Sequence, residues 1–364
     1  MATKSPNPKN IKFRSLKIKN FKAIDELLID FQEPRMRSDP EVLVMGSQNG
    51  LGKTSVLEAC AMLFLGIAYG AEKWTTTGML DLPVNLTELF VRAGTNQSTI
   101  QGNFQVDDSK MDISILINRN GTIKIEGNTQ KLARHLIPVN KNTATINNYY
   151  LSLAGMNVEP IILPSFLYFN SYRKIQEGNP ELGMLFDDER IINRHPALMR
   201  RPRLSTFKLQ ILRIMMGQAN LFETLDTLNQ KETLEKLNSL VKRYAGGTIE
   251  KLRTSPDNTI EFRISPTSGG QSYAFDGLSS GQKEIISTLF LIWFHTHEQP
   301  GIVLIDEPEL HLNPEWHLDL VQQLFQLVPD NQYIIATHSE DIFGSVSPDH
   351  RIILQASSAA NPIV

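Results

Sequence analysis

The chain has 364 residues, 41% of them hydrophobic, with a formal net charge of −3 and a pI near 6.3. That length suggests two domains or one composite α/β unit with a packed core, and the acidic balance excludes a global field drawing it onto nucleic acid, so DNA contact would need a local patch. A single cysteine, Cys60, excludes an internal disulfide and fits a reducing cytoplasm; no apolar run approaches the roughly 20 residues that span a bilayer, and residues 1–10 lack the apolar core of a signal peptide.

In chain order, an opening strand through Asn20 and Phe21 is followed by the apolar run Val42-Leu-Val-Met45, then Ser47-Gln-Asn49-Gly50-Leu-Gly52-Lys53-Thr54-Ser55, then a helical stretch over 56–65. Strand, glycine-rich turn and helix form the context of a phosphate loop. Gly50 and Gly52 permit a turn whose backbone N–H groups point at phosphate oxygens, and the helix presents its positive dipole end to the same charge. Lys53 is placed to reach the β- and γ-phosphates and Thr54 to ligate Mg²⁺, with Asn49, Gly50, Gly52 and Ser55 as further nucleotide contacts. The motif's first glycine falls on Ser47, with Gly46 one residue early. Alternating segments at 99–106, 111–118 and 122–126 predict an antiparallel sheet, and Asn120-Gly121 a hairpin turn. Residues 161–170 predict one buried strand ending at Ser171-Tyr172-Arg173.

The middle, 171–246, predicts a helical insertion between an N-terminal lobe (1–170) and a C-terminal lobe (247–364). It carries Arg200, Arg201 and Arg203, which read either as phosphate contacts or as a solvated face balanced by Glu181, Asp187, Asp188 and Glu189. No sustained heptad array is present. In the C-terminal lobe, Ile302-Val-Leu-Ile305 ends in Asp306 and Glu307. A buried strand that delivers paired acids needs a metal or substrate to justify their desolvation. Asp306 would hold Mg²⁺, and Glu307 would orient or deprotonate the attacking water. A second apolar strand, Tyr333-Ile-Ile-Ala336, delivers Thr337 and His338 to the same edge, within reach of a γ-phosphate.

These residues amount to a family resemblance. Leu278-Ser279-Ser280-Gly281-Gln282 resembles the signature motif of ABC-type ATPases, with Ser280 in the place of a glycine. Asp306-Glu307-Pro308-Glu309-Leu-His311-Leu-Asn313-Pro314 is similar to the Walker B strand and D-loop of the RecF/SMC/OLD branch, and Thr337-His338-Ser339 to its switch histidine. The implied fold is α/β: a P-loop NTPase head of ABC type with an antiparallel β subdomain and a helical insertion. The 171–173 corner matches the branch's Q-loop position, without the expected glutamine. OLD-type nucleases carry a Toprim domain after the ATPase, and the short stretch after His338 leads us to expect none here.

The resemblance further implies ATP and Mg²⁺ as ligands, hydrolysis of ATP, and a head-to-tail dimer. In it Ser279, Gly281 and Gln282 of one protomer close over the nucleotide held by the other, with His311 and Asn313 in the D-loop. Two functions follow from it. One is a regulatory ATPase of the Septu or PARIS kind, cytoplasmic, controlling a separately encoded effector, a nuclease, in anti-phage defence. The other is a RecF-like ATPase that binds DNA in repair.

Overall fold

The computed structural model describes residues 11–34, 39–46, 50–69, 86–120, 122–128, 132, 149, 151–153, 155, 159–173, 206–218, 230–254 and 259–354. The chain divides into two compact units, one formed by Met1–Arg173 with His295–Val364 and the other by Lys174–Phe294.

The first unit holds two sheets. Strands β1 (Ile11–Phe21), β2 (Ile24–Asp30), β4 (Gln97–Val106), β5 (Ser109–Asn118) and β6 (Ile123–Gly127) form an antiparallel sheet in the order β2-β1-β4-β5-β6. The expected alternation is visible in β5, where Met111, Ile113, Ile115 and Ile117 turn inward and the residues between them outward. At the predicted hairpin, Asn118 N–H donates to Thr122 O at 2.8 Å, and the Asn120 side chain accepts from Thr122 N–H at 3.1 Å.

The second sheet runs β14-β3-β13-β12-β8-β7: β3 is Glu41–Gly46, β7 Ile161–Leu163, β8 Phe166–Phe169, β12 Ile302–Asp306, β13 Gln332–Thr337 and β14 Arg351–Ile353. All neighbours are parallel except β7, which pairs antiparallel with β8. The single strand expected over 161–170 is therefore a hairpin. Pro164 has no N–H to give a ladder, Ser165 takes a φ of 57°, and the chain reverses there. Gly301 backs onto this corner so closely that a Cβ would stand 2.1 Å from Ser165 O.

Helix α1 (Lys53–Tyr69) packs against strands of both sheets. Residues 56, 57 and 59–65 are all fully buried, which is why this stretch is apolar except for Glu58, a buried carboxylate paired with Lys22. Phe64 bridges the layers, edge-on to Phe104 of β4 at 5.4 Å and stacked on Phe166 of β8 at 4.1 Å. The sheets are also stitched directly: the Gln332 amide accepts from Phe13 N–H at 2.7 Å and donates to Phe13 O at 3.0 Å. A short helix, α2 (Leu86–Phe90), follows α1, while α6 (Pro314–Leu327) and α7 (Glu340–Gly344) follow β12 and β13.

The second unit contains α3 (Thr206–Gln218), α4 (Gln230–Ala245), a three-stranded antiparallel sheet of β9 (Gly247–Thr254), β10 (Ile260–Pro266) and β11 (Tyr273–Ala274), and most of α5 (Ser280–Thr296). Within it, Asn238 of α4 pairs its side-chain amide with both backbone groups of Ile249 in β9, at 2.7 and 3.3 Å.

Candidate nucleotide site

The phosphate loop enters α1 through Gly50 and Gly52, whose φ values of 80° and 95° lie in the left-handed region. At Gly52 a Cβ would also meet Ile24 Cγ1 at 2.9 Å, so strain and space both exclude a side chain. Val56 N–H then donates to Gly52 O at 2.9 Å and Lys53 is the first helical residue. Asn49 lies outside the described residues.

The parallel register brings the catalytic candidates together. It pairs Gly46 of β3 with Thr337 of β13, and Asp306 of β12 with Ala336, so three strand ends share one edge beside the loop. Ligands of open α/β sheets sit outside such carboxyl ends. There the Thr54 hydroxyl donates to Asp306 Oδ1 at 3.2 Å, Lys53 Nζ lies 3.3 Å from His338 Nδ1, and His338 Nε2 lies 3.5 Å from Glu307 Oε1. Ser55 is buried one residue further along α1. Sequence positions separated by almost the whole chain thus form one constellation.

Its electrostatics are those of a site awaiting charge. Burial lifts the Asp306 carboxyl to about 7, the Thr54 hydrogen bond opposing and the neighbouring carboxylates of Glu307 and Glu58 adding to it. Burial also pulls the Lys53 ammonium below its ordinary value, against the pull of Glu307, Asp306 and Glu309. Asp306 Oδ2 is buried and has no hydrogen-bond partner among the described residues, which is costly unless a ligand supplies one.

Two supports were not assigned from sequence. The Arg173 guanidinium, at the expected Q-loop corner, donates to the main-chain oxygens of Asp306 at 2.5 Å, Glu307 at 3.0 Å and Asn170 at 2.9 Å. Glu307 has a φ of 46° and its N–H donates to Ala336 O at 2.8 Å. A non-glycine residue held in this region costs of order 1 kcal/mol, so its surroundings must impose it. Second, the Glu309 carboxylate accepts from the Thr337 hydroxyl at 2.7 Å and from His338 N–H at 2.5 Å. In the D-loop segment His311 is exposed with a φ of 65°, and Asn313 caps α6 by accepting from Glu315 N–H at 3.2 Å.

In the second unit, Ser279 and Gln282 close a capping box at the start of α5. The Ser279 hydroxyl accepts from Gln282 N–H at 3.3 Å, and Gln282 Oε1 accepts from Ser279 N–H at 3.1 Å. Gln282 Nε2 is tied to Tyr244 O at 2.9 Å, Gly281 is buried, and Ser279 and Ser280 are left exposed at the helix N-terminus. Just upstream, the buried Lys208 ammonium meets Asp276 Oδ1 at 2.5 Å, and Lys283 Nζ donates to Asp276 O at 3.2 Å. Arg200, Arg201 and Arg203 lie outside the described residues.

Comparison with solved structures places this architecture. An Smc head bound to the C-winged helix domain of ScpA matches with a TM-score of 0.50, and an Smc head with an extended coiled coil, bound to the C-terminal domain of ScpA derived from Pyrococcus furiosus, with 0.51. Identity is 14% in both, with 92% of this chain covered and 91% and 92% of the respective structures. The fold is that of an ABC-type P-loop ATPase of the RecF/SMC-like branch. A family model described as an AAA domain matches residues 15–253, more than half of the chain, and the chain belongs to that family. A second AAA-domain model, whose description adds the AbiEii toxin and Type IV TA system, matches 168–343.

Among curated proteins, the chain is similar to Septu protein PtuA of Bacillus mycoides strain KBAB4, at 23% identity over 89% of this chain and 38% of the relative. It is similar to the Retron Vc95 probable ATPase of Vibrio cholerae serotype O1 biovar El Tor, at 30% identity over 28% of this chain and 23% of the relative, and to the Retron Ec83 probable ATPase of Escherichia coli, at 21% over 95% and 72%. The chain therefore spans well under half the length of the first two.

Proposed function

We propose that this chain binds ATP with Mg²⁺, hydrolyses it to ADP and phosphate, and closes head-to-tail with a second copy around the nucleotide. The observation that carries the proposal is the convergence of Lys53, Thr54, Asp306, Glu307 and His338 on one sheet edge beside the phosphate loop. Lys53 meets the β- and γ-phosphates, and backbone N–H groups of the loop hold the remaining oxygens. Thr54 and Asp306 offer the hard oxygen donors a magnesium ion takes, and the unpartnered buried Oδ2 fits that use. A divalent cation bound there supplies charge neutralisation to the phosphates. Glu307 orients or deprotonates the attacking water, and His338 contacts the γ-phosphate. Ser279, exposed at a helix N-terminus, covers that phosphate in the nucleotide held by the partner subunit, with Gly281 and Gln282 shaping the turn and His311 and Asn313 in the D-loop between subunits. Hydrolysis removes the link between the two surfaces, so turnover becomes an opening and closing switch.

The switch, in this reading, acts in the cytoplasm and controls a separately encoded effector, a nuclease, in anti-phage defence. Similarity to Septu protein PtuA and to the Retron Ec83 probable ATPase over most of this chain supports that role over DNA repair. The test is ATP turnover and sedimentation of the purified chain. Lys53→Ala should abolish nucleotide binding, while Glu307→Gln should retain it, stop hydrolysis and accumulate an ATP-dependent dimer. Wild-type turnover by Glu307→Gln would refute the assignment.

A further inference from the structure

We infer that Glu309 is the positioning residue for His338: its carboxylate, reaching across from the turn after β12, fixes the end of β13 so that the imidazole stands between Lys53 and Glu307. The inference rests on the reading of this site as an ATPase centre and adds to it a residue with no role so far.

The geometry leaves Glu309 little else to do. One carboxylate oxygen takes the Thr337 hydroxyl at 2.7 Å and the other takes His338 N–H at 2.5 Å. With each oxygen holding a donor of the 337–338 segment, the group is not placed to serve as a base. Thr337 Oγ1 in turn accepts from Ser339 N–H at 3.0 Å, and Ser339 caps α7 by accepting from Ile342 N–H. The Glu309 fork therefore holds Thr337 by its hydroxyl and His338 by its backbone N–H, and Ser339 indirectly through the Thr337 hydroxyl.

His338 needs this support because its side chain is 35% exposed and, among the described residues, is held at its ring nitrogens. Its ring nitrogens face Lys53 Nζ at 3.3 Å and Glu307 Oε1 at 3.5 Å, both long contacts. An ammonium only donates, so Nδ1 is the acceptor toward Lys53, and Nε2 is the ring nitrogen that faces the Glu307 carboxylate. Such a bridge fails if the backbone turns, because either nitrogen then loses its partner. Burial of the neighbouring Thr337, with 1% of its surface exposed, gives the fork a rigid base from which to act.

A positioning role predicts effects on turnover rather than on nucleotide affinity. Displacing a reacting group by about 1 Å costs up to roughly a hundredfold in rate. Glu309→Ala should thus lower kcat between about tenfold and a hundredfold with ATP affinity unchanged. The deciding measurement is a double-mutant cycle of Glu309→Ala with His338→Ala. If Glu309 acts through His338, the double variant turns over as slowly as His338→Ala alone; if Glu309 serves stability only, the two losses multiply. Thr337→Val, which keeps the volume and removes one donor, should show a smaller loss in the same direction and the same non-additivity, and it serves should Glu309→Ala fold poorly. Multiplying losses, or a Thr337→Val enzyme with wild-type kcat, would overturn the inference. Failure of the underlying reading looks different: wild-type turnover would then be indifferent to Lys53→Ala.

Discussion

At the scale of single residues, the proposed site separates groups that would meet phosphate from groups that hold them. That Lys53, Thr54, Asp306 and Glu307 would come together was legible in the sequence because their chemistry belongs to the residue type: an ammonium after glycines, acids ending an apolar strand. Arg173 was not, because it works by donating to main-chain oxygens, and any segment of chain offers those. Its fork to Asp306 O and Glu307 O holds Glu307 in a left-handed conformation that the residue would not choose alone. Arg173→Lys keeps the charge but replaces a planar fork by a point donor able to satisfy one carbonyl well. We expect it to lower kcat by about tenfold, leave ATP affinity within a factor of about two, and cost about 1–3 kcal/mol of stability from the oxygen left unsatisfied. Single-turnover kinetics with denaturant melts would check this; a loss of affinity with unchanged kcat would contradict it.

At the scale of elements, the sequence predicted what repeats and the Asn-Gly turn between β5 and β6, and missed the reversal between β7 and β8. The alternation of β5 was visible because burial follows a fixed period, and the helix α1 because a long apolar run follows the glycine-rich turn. The reversal at Pro164 and Ser165 was not, because an apolar run of this length reads as one strand or as two, and only the pairing of Phe166–Phe169 with β12 decides between them. Near the end of α5, burial holds the His295 imidazole down at about 4 against an ordinary 6.5. The native ring is therefore neutral while the unfolded ring takes up a proton below pH 6.5. The stability this difference protects is complete above pH 6.5 and is lost as pH falls toward 4, by up to about 3 kcal/mol. His295→Phe should flatten that limb: urea midpoints of the variant should change less between pH 7 and pH 5 than those of the wild type, and equal slopes would refute the assignment.

At the scale of the whole molecule, the proposal requires that no single copy completes a site. In that proposal Ser279, besides capping α5, would serve the nucleotide of another protomer. Ser279→Arg should leave each chain able to bind ATP while preventing ATP-dependent dimerisation, since it places bulk and a fixed charge where a phosphate must fit. Mixing Ser279→Arg with Lys53→Ala should restore one competent site per heterodimer, and sedimentation with turnover assays would read both. Full activity of Ser279→Arg alone would show that the capped helix does not act between subunits. The strand order has one more consequence, for the chain during its synthesis. Strand β3, which feeds the phosphate loop, has both of its sheet neighbours, β13 and β14, at the far end of the chain. At 5–20 residues per second, a ribosome needs roughly 15–60 s after making β3 to deliver them. Throughout that interval α1, the most apolar of the described helices, lacks its packing against β12 and β13, and a product truncated before them carries the phosphate loop without the Asp306, Glu307 and His338 that the proposed site needs.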